Sequence, residues 1–393
     1  MRILFVVFPE PGHLHPMIGI AQHLVHAGHE VEMFSMEDLS ERLAAAGLAI
    51  PCHVAGSTAS PPGERRRRRS SDLAALLGRP ALARRWYRYA LLSQVPAQAA
   101  ALRELVRARR PDVIATDPFA FAAVLIAEEA RLPWAALSTQ LLALAPADFR
   151  CPYTDYLDEL ADERDRMFAA AGVTTRFARS EAISPWLSTV FATDALAPCN
   201  HALGVGPALP PDRRGDETQF PWARLRADRP LVYASFGSQL APPAGVYAAL
   251  AHALDPDEAD LVMAIGDAEL PGPLPPHVLA VRWAPQLALL ERARVMVTHG
   301  GANSVAEALV RGVPLLIVPL GHEQPLQACL VERAGAGLAL AADAATRDAL
   351  TTALRTLLAD GSQRRRAAEI GRDYAANDGA RRAAELLVEL PSR

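Results

Sequence analysis

The chain has 393 residues, a formal net charge of −4, 51% hydrophobic residues and 21% charged ones. That length exceeds one ordinary core and predicts two domains of roughly 200 residues each, while the small net charge argues against nucleic acid as a main partner and favours a small molecule. Cys52, Cys151, Cys199 and Cys329 lie far apart without a C-x-x-C pair, so zinc-ribbon and redox-motif chemistry is not expected, and reduced thiols in the cytoplasm are.

In chain order, RILFVVF (2–8) reads as a buried first strand, because its apolar run is too short for a signal-peptide core or a membrane span. No later stretch is long and apolar enough to span a membrane either. HPMIGIAQHLVHAGH (15–29) has a helical period ending at Gly28, and EVEMFS (30–35) is a second strand. The charge run GERRRRRS (63–70) reads as a solvated loop or, alternatively, as a contact for an anionic partner or membrane face. DVIAT (112–116), a helix over 119–132 and WAALS (134–138) continue the alternation. The Pro-, Gly- and charge-rich tract 204–229 reads as a linker. Strands are then expected at 230–237, 260–266, 278–281, 294–298 and 314–319, with helices at 301–312 and 324–335. Such alternation, with strands apolar on both faces, predicts α/β architecture with parallel sheets. The expected layout is a first doubly wound domain over 1–205, a linker over 206–229, a second such domain over 230–375, and a terminal helix in 376–393 that packs back on the first. Ligands in such sheets collect outside the carboxyl ends of the strands, here in a cleft between the halves.

One stretch concentrates polar residues where an apolar strand turns into a helix, THGGANSVAEA (298–308). Glycines let the backbone approach a ligand, and the free N–H groups of a helix's first turn attract phosphate. Asn303 and Ser304 are equally good helix caps, so this stretch alone supports either reading. Its neighbours favour a ligand. VRWAPQLALL (281–290) places an aromatic at a strand end, Glu307 follows Asn303 by one helical turn, and PLGHEQP (319–325) brings another polar cluster to a strand's carboxyl end.

Taken together, RWAPQ and THGGANSVAEALVRGVPLLIVPLGHEQPLQACLVERAGAG (within 282–337) resemble the donor-binding signature of family 1, UDP-sugar-dependent glycosyltransferases. The resemblance implies the GT-B fold, two Rossmann-like domains facing across a cleft. It implies that Trp283 stacks on the nucleobase, with Ala284 and Gln286 lining the nucleoside pocket, and that Glu307 holds the ribose. His299, Gly300, Gly301, Asn303 and Ser304 would hold the diphosphate, helped by Ser238 of SFGS (235–238), and Glu323 with Gln324 would hold the sugar hydroxyls. The family often has Asp-Gln where this chain has Glu323-Gln324. No metal or other cofactor is expected, since the nucleotide sugar is a co-substrate.

The resemblance also points to His13 in the G-H-x-x-P pattern of PEPGHLHPM (9–17) as general base, with Asp117 of IATDPFAF (114–121) behind it. A neutral imidazole takes a proton from an attacking hydroxyl, and a carboxylate fixes its tautomer. Asp117 before Pro118 also suits a helix cap. The expected reaction is inverting transfer of a hexose, from UDP-glucose in preference to a dTDP-sugar. The apolar, aromatic-containing tracts 84–94 and 136–152 fit a lipophilic acceptor, and FPWARLRADRPLVYASFG (220–237) resembles zeaxanthin-type carotenoid and macrolide glucosyltransferases. Two alternatives stand beside this reading: a nucleotide-sugar epimerase of the same fold, and a non-catalytic nucleotide-sugar binding protein. Metal binding by His13 and His15, or by His23, His26 and His29, is not expected, because no carboxylate or cysteine joins either group at ligand spacing. A monomer or homodimer is expected.

Overall fold

A computed structural model describes residues 1–55, 70–270 and 272–392. The arginine run expected to be a solvated loop lies, up to residue 69, outside the described residues. In the first half, β1 (Arg2–Val6), β2 (Glu30–Ser35), β3 (Cys52–Val54), β4 (Val113–Thr116) and β5 (Trp134–Ser138) precede a small antiparallel pair, β6 (Arg176–Ala178) and β7 (Glu181–Ile183). β8 (Leu187–Val190) and β9 (Leu203–Gly204) complete a seven-stranded sheet of order β3-β2-β1-β4-β5-β8-β9, all pairings parallel. In the second half, β10 (Leu231–Ser235), β11 (Asp260–Ala264), β12 (Val278–Val281), β13 (Ala293–Thr298), β14 (Leu315–Ile317) and β15 (Gly337–Ala339) form a parallel sheet of order β12-β11-β10-β13-β14-β15.

In both sheets the chain runs outward for three strands and then returns to the other side of the first, so each sheet has a topological switch point, β1/β4 in one and β10/β13 in the other. The strands are near-continuous apolar runs because helices cover both faces. Ile3, Phe5 and Val113 pack to one side of the first sheet, while Leu4, Val6 and Ile114 pack to the other. The helix Gly379–Glu389 belongs to the first half's core, with Ala383, Leu386 and Leu387 among Ile3, Phe5, Met17 and Ile20. The chain therefore crosses between the halves twice, through the linker and again just before this helix.

The first helix starts earlier than its period predicts. It runs Pro11–His26, with Pro11 in its first turn and Gly28 just beyond its end at φ +79. His13, which precedes the expected helix, is therefore the third residue of the observed one. Pro16 then lies inside the helix, and, lacking an N–H, it offers nothing to the carbonyl of Gly12 four residues back.

Candidate active site

The two switch points face one cavity of about 410 Å³, within the usual size of ligand pockets. It is lined by Phe8 and His13 after β1, Thr139 after β5, Gly237 and Ser238 after β10, Trp283, Ala284 and Gln286 after β12, and His299 and Gly301 after β13. Asn303, Ser304, Glu307, Glu323 and Gln324 line it too. Of the residues expected at the site, Asp117 and Gly300 do not reach the cavity surface.

Asp117 lies directly behind His13. Its Oδ2 is 2.8 Å from His13 Nδ1, and it is almost wholly buried. It does not cap a helix starting at Pro118, since that helix begins at Phe121. Its Oδ1 instead accepts the N–H of Phe119 at 2.9 Å. A carboxylate only accepts, so Nδ1 donates and Nε2 is left without a protein partner among the described residues. Thr139, which the sequence reading passed over, donates its hydroxyl to Asp117 Oδ2 at 2.9 Å and lies 2.9 Å from Nδ1. Burial disfavours the His13 cation. The Asp117 charge and hydrogen bond, with Glu10 and Glu323 further off, outweigh it and push the imidazole up to about 9.

Across the cavity, the helix Ala302–Val310 opens at Gly301 with no side-chain cap. Neither Asn303 nor Ser304 takes the capping role that their types allow, so among the described residues the first-turn N–H groups carry no side-chain acceptor and can receive an anion. The glycines make room for His299. A Cβ on Gly301 would lie 2.7 Å from His299 Nε2, and one on Gly237 would lie 2.8 Å from Cε1. Gly300 serves packing and turn geometry, with φ +90 and a position where a Cβ would meet Ile317 Cγ2 at 2.7 Å. Burial lowers His299 to about 4, so its ring is neutral and supplies one N–H rather than a charge.

Asn303 reaches across the cleft. Its Nδ2 donates to the Gly12 carbonyl at 3.0 Å, the same carbonyl that Pro16 leaves without a helical donor. Glycine and proline of the G-H-x-x-P pattern thereby free an acceptor for the opposite domain, one residue from the imidazole.

Glu307 is buried, and each of its carboxylate oxygens already accepts one hydrogen bond. Gln286 Nε2 donates to its Oε2 at 2.7 Å, and Arg214 Nη1 to its Oε1 at 2.5 Å. Arg214, a linker residue that the sequence reading did not single out, also forks onto Asp216 through Nε and Nη2 at 2.9 and 2.6 Å. Gln286 in turn accepts from the Tyr233 hydroxyl at 3.2 Å and donates to Ser304 Oγ at 3.3 Å. Trp283 contrasts with these buried groups. It is 49% exposed, an indole face open at the end of β12. Glu323 lies in the loop after β14, and burial raises its carboxyl above the usual range. Gln324 spends its carbonyl oxygen on the backbone N–H groups of Leu320 and Gly321, at 2.7 and 3.1 Å. No cluster of His, Cys, Asp and Glu with metal-holding geometry occurs among the described residues, and no helix there is long and apolar enough to cross a membrane.

The chain is similar in sequence and fold to known proteins. Residues 218–372 match the family described as UDP-glucuronosyl and UDP-glucosyl transferase. The oleandomycin glycosyltransferase of Streptomyces antibioticus is 27% identical, the match covering 97% of this chain and 89% of that one. Among solved structures, a calicheamicin glycosyltransferase is 26% identical, superposes with a TM-score of 0.74, and is covered over 98% of its length by 100% of this chain. The glycosyltransferase VinC in complex with dTDP is 24% identical, with a TM-score of 0.72 and full coverage of both chains.

Proposed function

We propose that this chain is a GT-B glycosyltransferase that moves a hexose from a nucleotide sugar to a hydroxyl of a lipophilic natural product, with inversion at the anomeric carbon. UDP-glucose is the preferred donor in this reading, on the strength of the matched family and of Glu307, and dTDP-sugars are the alternative that VinC's ligand supports. One observation carries it: a carboxylate-backed imidazole at one switch point and an uncapped helix N-terminus at the other open on the same cavity.

In this reading Trp283 stacks on the base, Gln286 and Glu307 meet the nucleoside, and the diphosphate seats on the first turn after Gly301 beside His299, Asn303 and Ser304, with Ser238 opposite. Glu323 and Gln324 meet the sugar. His13 Nε2 removes the proton of the acceptor hydroxyl as that oxygen bonds to the anomeric carbon. The bond from that carbon to the diphosphate oxygen breaks, and its electron pair leaves with the nucleotide. Preorganised N–H donors at the growing negative charge are commonly the largest catalytic contribution, and the base is typically worth on the order of 10²–10⁴ in rate. Trp86, Tyr87, Leu91, Phe119 and Tyr153 form the apolar side of the cavity, which suits a greasy acceptor.

A donor-by-acceptor screen read by mass spectrometry tests this. The expected product is an acceptor heavier by one hexose, formed equally well with EDTA present. Sugar-nucleotide turnover that needs no acceptor would transfer the assignment to an epimerase, and loss of activity in EDTA would refute the metal-free mechanism.

A further inference from the structure

The loop after β14 carries a residue that the reaction as described leaves unused. His322 sits at φ +52, a left-handed conformation that a non-glycine residue rarely adopts. It reaches across the cleft to the first domain, where the Tyr87 hydroxyl of the helix Pro80–Arg88 lies 2.8 Å from its Nδ1. The rings of Trp86 and Tyr153 flank it at centroid distances of 5.8 and 6.4 Å. Burial, with His13 adding to it, lowers the imidazole to about 4, so the ring is neutral and carries one N–H. Burial likewise holds the Tyr87 phenol protonated. When Tyr87 gives its proton to Nδ1, the ring's own N–H falls on Nε2. That Nε2 is buried and has no hydrogen-bond partner among the described residues, on a residue that lines the cavity next to Glu323. Buried polar groups in folded proteins are overwhelmingly paired, so an orphan on a left-handed residue beside a ligand pocket calls for a partner.

We propose that His322 Nε2–H donates a hydrogen bond to a hydroxyl oxygen of the transferred sugar, and that Tyr87 fixes the required tautomer from the opposite domain. The inference rests on the reading of this cavity as a nucleotide-sugar site. It makes sugar recognition a joint property of the two domains, because the donor lies on one and its tautomer lock on the other.

Titration calorimetry separates the two levels. Wild type, His322→Phe, His322→Gln and Tyr87→Phe are each titrated with UDP, UDP-glucose, dTDP and dTDP-glucose. Loss of one neutral hydrogen bond predicts that His322→Phe binds the bare diphosphates as wild type does and the sugar nucleotides about five- to tenfold more weakly. Gln, which restores an N–H at similar reach, recovers most of that loss, and Tyr87→Phe shows part of it. Sugar-nucleotide affinity unchanged in His322→Phe overturns the inference, as does an equal loss for diphosphates and sugar nucleotides. A wild type that binds none of the four overturns the nucleotide-sugar reading itself.

Discussion

At the scale of single residues, the proposed roles of His13 as base and Asp117 behind it predict the pH dependence of transfer. A base must be neutral, and an imidazole pushed up to about 9 is only about 1% neutral near pH 7. The expected kcat/KM therefore climbs roughly tenfold per pH unit from neutrality and levels off above about pH 9. Asp117→Asn removes the charge that raises His13, so its rising limb moves to lower pH while its plateau drops through loss of tautomer control. A limb that stays in place in Asp117→Asn, followed by kcat/KM against pH, would contradict the pairing. The sign for stability is the reverse of that for activity. A folded value above the unfolded one near 6.5 stabilises the protein fully below that value, and the gain is lost as pH rises through about 9.

The Arg214–Glu307 pair is a residue-scale feature of a different kind. Both side chains are only 4% exposed, and removing one partner from a buried pair strands the other charge, at a cost of about 3–5 kcal/mol. Glu307→Ala is expected to lower the denaturant midpoint accordingly. Arg214→Met with Glu307→Leu is expected to recover most of the stability without recovering nucleotide affinity, since an apolar pair replaces a buried ion pair at little cost. If Glu307→Ala unfolded at the wild-type midpoint, the pair would carry no such weight.

Among the elements, strands and their ends were the most legible part of the sequence. β2, β5 and β12 lie at the residues their apolar runs mark out, and β13 is longer by one residue at its start. Continuous apolar runs broken by Gly or Pro leave little choice of register in a sheet covered on both faces. The helix carrying His13 was placed four residues late because Pro16 reads as a helix start, whereas Pro11 is the real first-turn proline and Pro16 is tolerated where the opposite domain takes up the carbonyl it frees. The glycines after β13 were legible as a special turn, yet their reason was not. Gly301 gives way to the His299 ring rather than only to a ligand. Gly301→Ala is thus expected to push that ring aside, destabilise by about 1–3 kcal/mol and weaken UDP binding. Gly245→Ala, whose Cβ meets nothing within 4 Å, should leave UDP binding as it is. Calorimetry on the two variants checks this, and equal affinities would contradict it.

For the whole molecule, the site exists because two open sheets place their switch points against each other. His13 and Asp117 follow β1 and β4, and Gly237 and His299 follow β10 and β13. Alternation along the chain made the parallel sheets and the cleft readable in advance, and the motif resemblance supplied most of the expected lining residues. Thr139, Arg214, Tyr87 and His322 were not among them. Each acts through a partner far away in sequence, His13, Glu307 and one another, and no local period records such an approach. The interdomain contacts of Asn303 with Gly12 and of Tyr87 with His322 tie the halves together at the site itself. The proposed transfer depends on a nucleotide's diphosphate lodging between those halves. A crystal structure of the protein soaked with UDP measures that directly: the account predicts phosphate density at the first turn of the helix Ala302–Val310, beside His299 and Gly301, with the uracil on Trp283, and density at any other place would contradict it.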